Sequence, residues 1–396
     1  MTPAARLQTV IEILGLGGSE PLDRQLKTWF RAHRFAGAKD RRAITERVYG
    51  ILRQRAHLAH RMGSEEPRAL VIASVLANSE NPEVLFTGGY GPPPLTDKER
   101  QAIAQPPHAA PAWVENEYPA WLEEELQRAF GDRLPDEMRA FQGRAPVDLR
   151  VNRLKAGRAE ILSALRADGF AAEPLPELPD AIRCAPEANL TAHRLFAAGA
   201  FEIQDWSAQR AVALSEARPG MQVLDLAAGA GGKSLGLAAA MQNRGRLLAF
   251  DDKPERLKPL AERAARAGAL VIAIAERRGG PLWGNGRFEL VFLDVPCSGS
   301  GTWRRQPELK WRLTPERLAE LARIQDWLFA DAARHTASGG KLVYATCSIL
   351  PCENKDRVEI FLRAHPSFRR TTPDFLASPA STASDGFYAA FLTRED

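Results

Sequence analysis

Two stretches carry residues whose types and spacing could do covalent chemistry. "LDVPCSGSG" (293–301) ends an apolar run with Asp294 and Cys297, and "YATCSILPCEN" (344–354) ends another with Cys347, followed by Cys352. A thiolate is a good nucleophile. Adjacent strands in a sheet lie about 5 Å apart, so loops leaving neighbouring strands at the same edge could bring Cys297 and Cys347 into one pocket. Singly, each cysteine reads as a small buried hydrophobe. Together, beside Asp294 and a glycine-rich turn, they read as a catalytic pair, and taken alone Cys297 is the first candidate nucleophile. No metal is expected, because the four cysteines lack the paired short spacing of metal sites and His335 is the only nearby imidazole.

A second constellation points to a bound nucleoside. "DLAAGAGGKS" (225–234) offers Gly229, Gly231 and Gly232 for a tight turn and close backbone approach, followed by the N-terminal amides of a helix. Its "GGKS" tail resembles a P-loop, but that motif needs glycine where this chain has Ala227. "RLLAFDD" (246–252) then places Asp251 at a strand end, where a carboxylate can accept both ribose hydroxyls, with Asp252 as the cap of the next helix. A glycine turn with an acid one strand later suits a nucleoside cofactor without phosphates, and S-adenosylmethionine fits that description.

The elements that must position these residues follow from the apolar pattern. Strands over 222–226, 246–250, 269–275, 289–293 and 341–346 alternate with helices near 233–242, 253–267, 315–336 and 352–364. Such alternation specifies a parallel sheet covered on both faces, with ligands at the carboxyl ends of its strands. Upstream, residues 5–80 show helical spacing of Leu26, Trp29, Phe30, Ile44, Val48, Ile51 and Leu52. The proline-rich segment 78–96 reads as a linker, amphipathic segments follow around 119–130 and 136–143, and a β-α-β unit spans 147–152, 157–168 and 181–184.

Charge is informative in its distribution. Between Arg24 and Arg61 stand eleven Lys/Arg against two acids, although the whole chain carries only +4. This is the pattern of a face that binds a polyanion. After the Pro-Cys loop, Arg304, Arg305, Lys310 and Arg312 alternate with Trp303 and Trp311, pairing cations for phosphates with rings able to stack on bases. A composition of 45% apolar and 26% charged residues excludes a disordered chain, and four cysteines give no disulfide framework. With no apolar run of membrane-spanning length and no leader-like N-terminus, the expectation is a cytoplasmic protein away from membranes.

These motifs resemble the bacterial RsmB-type (Fmu/Sun) RNA cytosine-C5 methyltransferases. The likeness rests on the glycine motif, the ribose acid, "LDVPCSGSGTWRRQPELKW", "YATCSILPCEN", the closing "DGFYAAFLTR" and the "GAFEIQDWSAQ" segment (199–209). It implies a Rossmann-like class I methyltransferase sheet over 199–396. It also implies an N-terminal all-α NusB-like domain over 1–80, a linker with helices over 81–144, and a small RNA-recognition-like β-α-β subdomain over 145–198. In such enzymes the cysteine of the Thr-Cys-Ser motif, here Cys347, is the nucleophile toward carbon 6 of cytosine. The cysteine of the Pro-Cys motif, here Cys297, is implicated in product release, and Asp294 would sit against the base edge.

The resemblance assigns the S-adenosylmethionine site to Ala227, Ala228, Gly229, Ala230, Gly231, Gly232, Lys233, Asp251, Asp252, Glu276 and Asp294. Lys233 could also favour the thiolate. Two departures stand out. The usual Cys-Ala-Ala-Pro-Gly-Gly-Lys is Ala227-Ala228-Gly229-Ala230-Gly231-Gly232-Lys233 here, and the usual adenine-contacting acid falls at Ala275 or Glu276. RNA would be held by Arg41, Arg42, Arg304, Arg305 and Lys310 on a monomer, with 16S ribosomal RNA the favoured substrate and transfer RNA the alternative. A DNA cytosine-C5 methyltransferase would make Cys297 the nucleophile and leaves "YATCS" without a use. A non-catalytic RNA-binding assembly factor leaves every nucleophile and cofactor position unexplained.

Overall fold

The computed structural model describes all residues except 19, 106–108 and 396. The chain divides into two compact units, one of residues 1–143 with 303–313, the other of residues 144–302 with 314–396.

The first unit is helical. Pro3–Gly15, Leu22–Ala32, Ala38–Arg53, Arg55–Met62 and Pro67–Ala77 bury the stripe expected from the spacing, including Leu26, Trp29, Phe30, Ile44, Val48, Ile51 and Leu52. The segment 78–96 is not a free linker. It forms the short helix Pro82–Leu85 and contributes Phe86 and Leu95 to the same core. Its prolines bar regular structure, but two large apolar side chains are enough to hold it down.

The second unit contains two sheets. In the smaller one, β1 (Val147–Val151), β2 (Ala172–Pro174), β3 (Ala181–Cys184) and β4 (Phe201–Ile203) run in the order β2-β3-β1-β4, all neighbours antiparallel, beside the helix Arg158–Ala167. The expected β-α-β unit is therefore a four-stranded sheet. Its two missed strands have three residues each, too short to show a period of two. β4, assigned by its sequence position to the catalytic range, pairs with β1 instead, Phe201 opposite Val151.

The larger sheet comprises β5 (Gln222–Asp225), β6 (Arg246–Ala249), β7 (Ile272–Ile274), β8 (Phe288–Asp294), β9 (Thr336–Thr346), β10 (Phe368–Arg370), β11 (Phe375–Ala377) and β12 (Phe387–Arg394). Its order is β10-β12-β9-β8-β5-β6-β7, with β11 paired to β12. The five strands β5 to β9 are parallel, as expected, whereas β12 runs antiparallel against β9, with β10 and β11 paired to it beyond. Alternate strand residues feed two cores: Leu224, Leu248, Val291 and Leu342 on one face, Val223, Leu247, Phe292 and Val343 on the other. This is a Rossmann-like sheet in which the strand order reverses between β5 and β8. Ligands bind at such a switch point, outside the carboxyl ends of the strands.

Candidate active site

The loops after β5 and β8 border that switch point, and the loop after β9 lies next to them. Asp294 of β8 is in register with Ala345 of β9, so the chain segments beyond them leave the sheet side by side. The sulfurs of Cys297 and Cys347 consequently lie 3.4 Å apart. The hydrogen bond with Cys347 and burial push the Cys297 thiol well above its ordinary pKa. The amide of Gly301 donates to the Cys347 carbonyl at 2.9 Å, and the amide of Gly386 donates to the Gly301 carbonyl at 2.8 Å. Only glycine fits this crossing, because a Cβ on Gly301 would lie 1.9 Å from the Gly386 oxygen.

Lys233 opens the helix Gly232–Ala240 and reaches Asp294, its Nζ 2.6 Å from Oδ2. Burial alone would lower the lysine, but the charges of Asp294, Cys347 and Asp225, with the Asp294 hydrogen bond, raise it and keep it an ammonium. A fixed cation thus pairs with Asp294 and feels the charge of Cys347. Arg150 of β1 supports the start of this helix by donating to the Gly232 carbonyl at 2.8 Å.

The glycine turn has the strained backbone its composition implies. Gly229 and Gly231 have φ of +52° and +82°, and a Cβ on Gly231 would come within 2.1 Å of Leu260 Cδ1. Ala227, Ala228 and Ala230 complete the turn. Asp251 holds it from below, accepting the Gly229 amide at 3.0 Å while pairing with Arg256 at 3.1 Å. Asp251 also accepts the Lys253 amide at 3.0 Å, which is the helix-start contact expected of Asp252. Asp252 is not the cap; both its oxygens take the Arg278 guanidinium at 2.8 Å, which draws the side chain away from the helix start. Glu276 follows β7 and is exposed, whereas Ala275 is buried.

Two of the RNA-binding expectations need correction. Arg304 and Lys310 belong to the segment that packs into the helical unit, where they are 6% and 3% exposed, and Trp303 is 1% exposed with its edge against Phe141. Buried side chains of this kind cannot grip phosphate from the surface or stack on bases. Burial lowers Lys310 to about 8 against the pull of Glu117. Trp311 is also fixed, donating its indole N–H to the Leu52 carbonyl at 2.7 Å. Arg305 is half-buried, while Arg41 and Arg42 are exposed on Ala38–Arg53. The alternation of cations and rings was an interior pattern, and sequence spacing alone does not separate the two.

Two buried carboxylates escaped the sequence reading. Asp225 ends β5 with no exposure, accepts Ser234 Oγ at 2.6 Å and leaves Oδ1 without a partner. Burial raises it to about 7. Glu353 in "PCEN" is equally buried and accepts from both cysteine loops. The signal for Asp225 was an acid inside an apolar run with no helix surface to occupy; Glu353, followed by Asn354, Lys355 and Asp356, carried none.

Comparison with known proteins adds lineage to this geometry. Residues 212–393 match the family model described as 16S rRNA methyltransferase RsmB/F, and residues 118–191 match the ferredoxin-like domain of RsmF/B-like methyltransferases. A ribosomal RNA small subunit methyltransferase B of Serratia proteamaculans is 35% identical over 285 residues, 70% of this chain and 66% of that protein. The chain belongs to the RsmB/F methyltransferase family. This RsmB/F chain spans 66% of the length of the curated relatives it matches. The crystal structure of PH0851 superposes with a TM-score of 0.83 at 26% identity, covering 100% of this chain and 99% of that one. A methyltransferase homolog protein from Pyrococcus horikoshii shares the fold, with a TM-score of 0.64 at 24% identity over 72% of the RsmB/F chain and 100% of its own. Among the described residues no helix is long and apolar enough to cross a membrane.

Proposed function

We propose that the protein transfers a methyl group from S-adenosylmethionine to carbon 5 of a cytidine in RNA, with 16S ribosomal RNA as the favoured substrate. The observation that carries this reading is the pair of sulfurs 3.4 Å apart beside the Lys233–Asp294 pair. Carbon 5 of cytosine is a poor nucleophile, and a thiolate added at carbon 6 turns it into an enamine carbon. One thiol suffices to attack, so a second at contact distance has its use in breaking the adduct.

The residues present fit the cofactor. Gly229 and Gly231 at positive φ give a turn without Cβ atoms, the helix start offers free amides, and Asp251 lies beneath the turn at the next strand end. Ala227 through Lys233 and Asp251 would hold the nucleoside, with Asp252 and Glu276 at the rim and Asp294 between cofactor and base. When bound, S-adenosylmethionine supplies the electrophilic methyl group. In this reading Cys347 attacks carbon 6, with the Lys233 ammonium favouring its thiolate. Asp294 holds the cytosine edge; after methyl transfer the carbon-5 proton passes to water and the carbon–sulfur bond breaks, returning the Cys347 thiolate, a step that Cys297 assists. Because the target carbon is covered in a stacked helix, the cytidine enters unpaired or flipped. Arg41 and Arg42 would grip the RNA backbone.

The test uses labelled S-adenosylmethionine with small-subunit RNA, transfer RNA or DNA. Cys347→Ser should be inactive, and Cys297→Ser should accumulate a denaturant-resistant protein–RNA adduct. An active Cys347→Ser protein, or a Cys297→Ser protein that is inactive without an adduct, overturns the roles. Label in DNA alone overturns the RNA reading, and label in transfer RNA alone moves the substrate.

A further inference from the structure

A carboxylate has room for about four hydrogen bonds, and when buried it needs them. Glu353 lies in the turn Pro351–Glu353 with no exposure and has four neutral donors. Its Oε1 accepts the Ser298 amide at 2.9 Å and Gln325 Nε2 at 3.0 Å. Its Oε2 accepts the hydroxyls of Ser298 and Ser348, each at 2.5 Å. Ser298 directly follows Cys297, and Ser348 directly follows Cys347. The same seam continues through the Ser300 and Ser348 hydroxyls, 2.9 Å apart, and the Ile349 amide on Ser300 Oγ at 3.0 Å.

Glutamine has the same shape but accepts on one side only, so these four donors call for a carboxylate. Its neighbourhood gives the charge a second use. Besides Glu353, the groups that act on Cys297 are Cys347, the Gly299 amide and the Tyr344 phenol of β9, which donates to the Glu353 carbonyl at 2.7 Å. Lys233, paired with Asp294, interacts electrostatically with Cys347. The carboxylate's charge thus acts on Cys297 and the ammonium's on Cys347.

We propose that Glu353 is a positioning residue for both cysteines, bolting the Cys297 loop to the Cys347 loop and setting its charge against loss of the Cys297 proton. The naming of the two cysteines' roles rests on the function proposed above; the clamp itself does not. The thiol proton stays on Cys297 in the resting protein. The charge of Glu353 is among the causes that hold the Cys297 thiol high, after the Cys347 hydrogen bond, burial and the Cys347 charge.

Alkylation by iodoacetamide across pH, mapped by peptide mass spectrometry, tests this without RNA or cofactor, so it stands or falls separately from methyl transfer. The alkylated peptides report Cys297 in the otherwise unaltered protein, where Cys347 still makes its contact with it. Half-maximal labelling of Cys297 should come above the ordinary thiol value of 9.0. Glu353→Gln should bring it down by about one unit, and Glu353→Asp should restore the high value by restoring the charge. Labelling of Cys297 at or below the ordinary thiol value overturns the proposal even if the Glu353 variants fail to fold. So does a cooperatively melting Glu353→Gln protein in which Cys297 labels as before.

Discussion

Replacing Lys310 by methionine separates an interior role for this cation from a role on RNA. Lys310 and Glu117 lie within the helical unit at 3% and 2% exposure, and Glu117 also accepts the Ala56 and His57 amides at 3.0 and 2.9 Å. Burial raises Glu117 to about 7 while the Lys310 charge pulls it down. Without the ammonium, the carboxyl folds only by taking a proton. The parent, whose Glu117 is already raised to about 7, bears most of that cost at pH 7, so the variant differs from it by about 1.4 kcal/mol for each pH unit above 7. The sign follows from linkage: a carboxyl raised on folding contributes stability present below about pH 4.5 and lost as pH rises through the folded value. The Lys310→Met defect should therefore be small up to about pH 7 and about 1.4 kcal/mol at pH 8. Adding Glu117→Gln should remove the pH dependence and recover about 1 kcal/mol at pH 8.

Urea unfolding followed by tryptophan fluorescence reads this directly, because Lys310 Nζ lies 5.7 and 4.9 Å from the rings of Trp303 and Trp311. In parallel, Lys310→Met should leave the salt dependence of RNA binding unchanged. Arg41→Gln/Arg42→Gln should flatten the slope of log K against log salt by about 0.7–0.9 for each phosphate no longer neutralised. A Lys310→Met protein as stable as the parent at pH 8, or one that flattens the salt slope as the arginine pair does, would refute the interior assignment.

Two further outcomes follow from the catalytic unit. Asp225 is raised to about 7, so its contribution is full below about pH 3.8 and is lost as pH climbs to 7; Asp225→Asn should weaken the fall in melting temperature between pH 5 and 8. A wild-type-like pH profile in that variant would show that the carboxyl is ionised in the fold. Gly301→Ala places a Cβ 1.9 Å from the Gly386 oxygen, and backbone must move, at a cost of about 1–3 kcal/mol. Because the Gly301 amide holds the Cys347 carbonyl at 2.9 Å, methyl transfer should fall at least tenfold while RNA affinity holds.

What could be read in the sequence was whatever depends on local period and on strand ends. Apolar runs of four or more residues marked the parallel strands, and the residues just beyond them, Asp294, Cys297, Cys347 and Asp251, were found because a parallel sheet presents ligands there. Short elements outside a longer apolar run were illegible: β2, β4, β10 and β11 have three residues each, and their existence is decided by partners far along the chain. Burial of charge was equally hidden. Lys310 and Arg304 look like surface cations because nothing local announces that Trp303–Leu313 packs with the helical unit. Asp252 took the wrong role for a similar reason, since Arg278, its partner, lies on a later loop.

The excursion of residues 303–313 also bears on inheritance. The backbone passes between the two units three times, after Gly143, after Thr302 and after Leu313. A single cut at the first crossing would release helices lacking the strip that carries Trp303 and Lys310, and a sheet left with an apolar strip meant for other helices. Gene fusion or recombination joining this sheet to a foreign helical domain at one breakpoint would meet the same mismatch. The two units are bound to change together, and substitutions at Glu117 or Phe141 should track those at Lys310 and Trp303 hundreds of positions away in the gene.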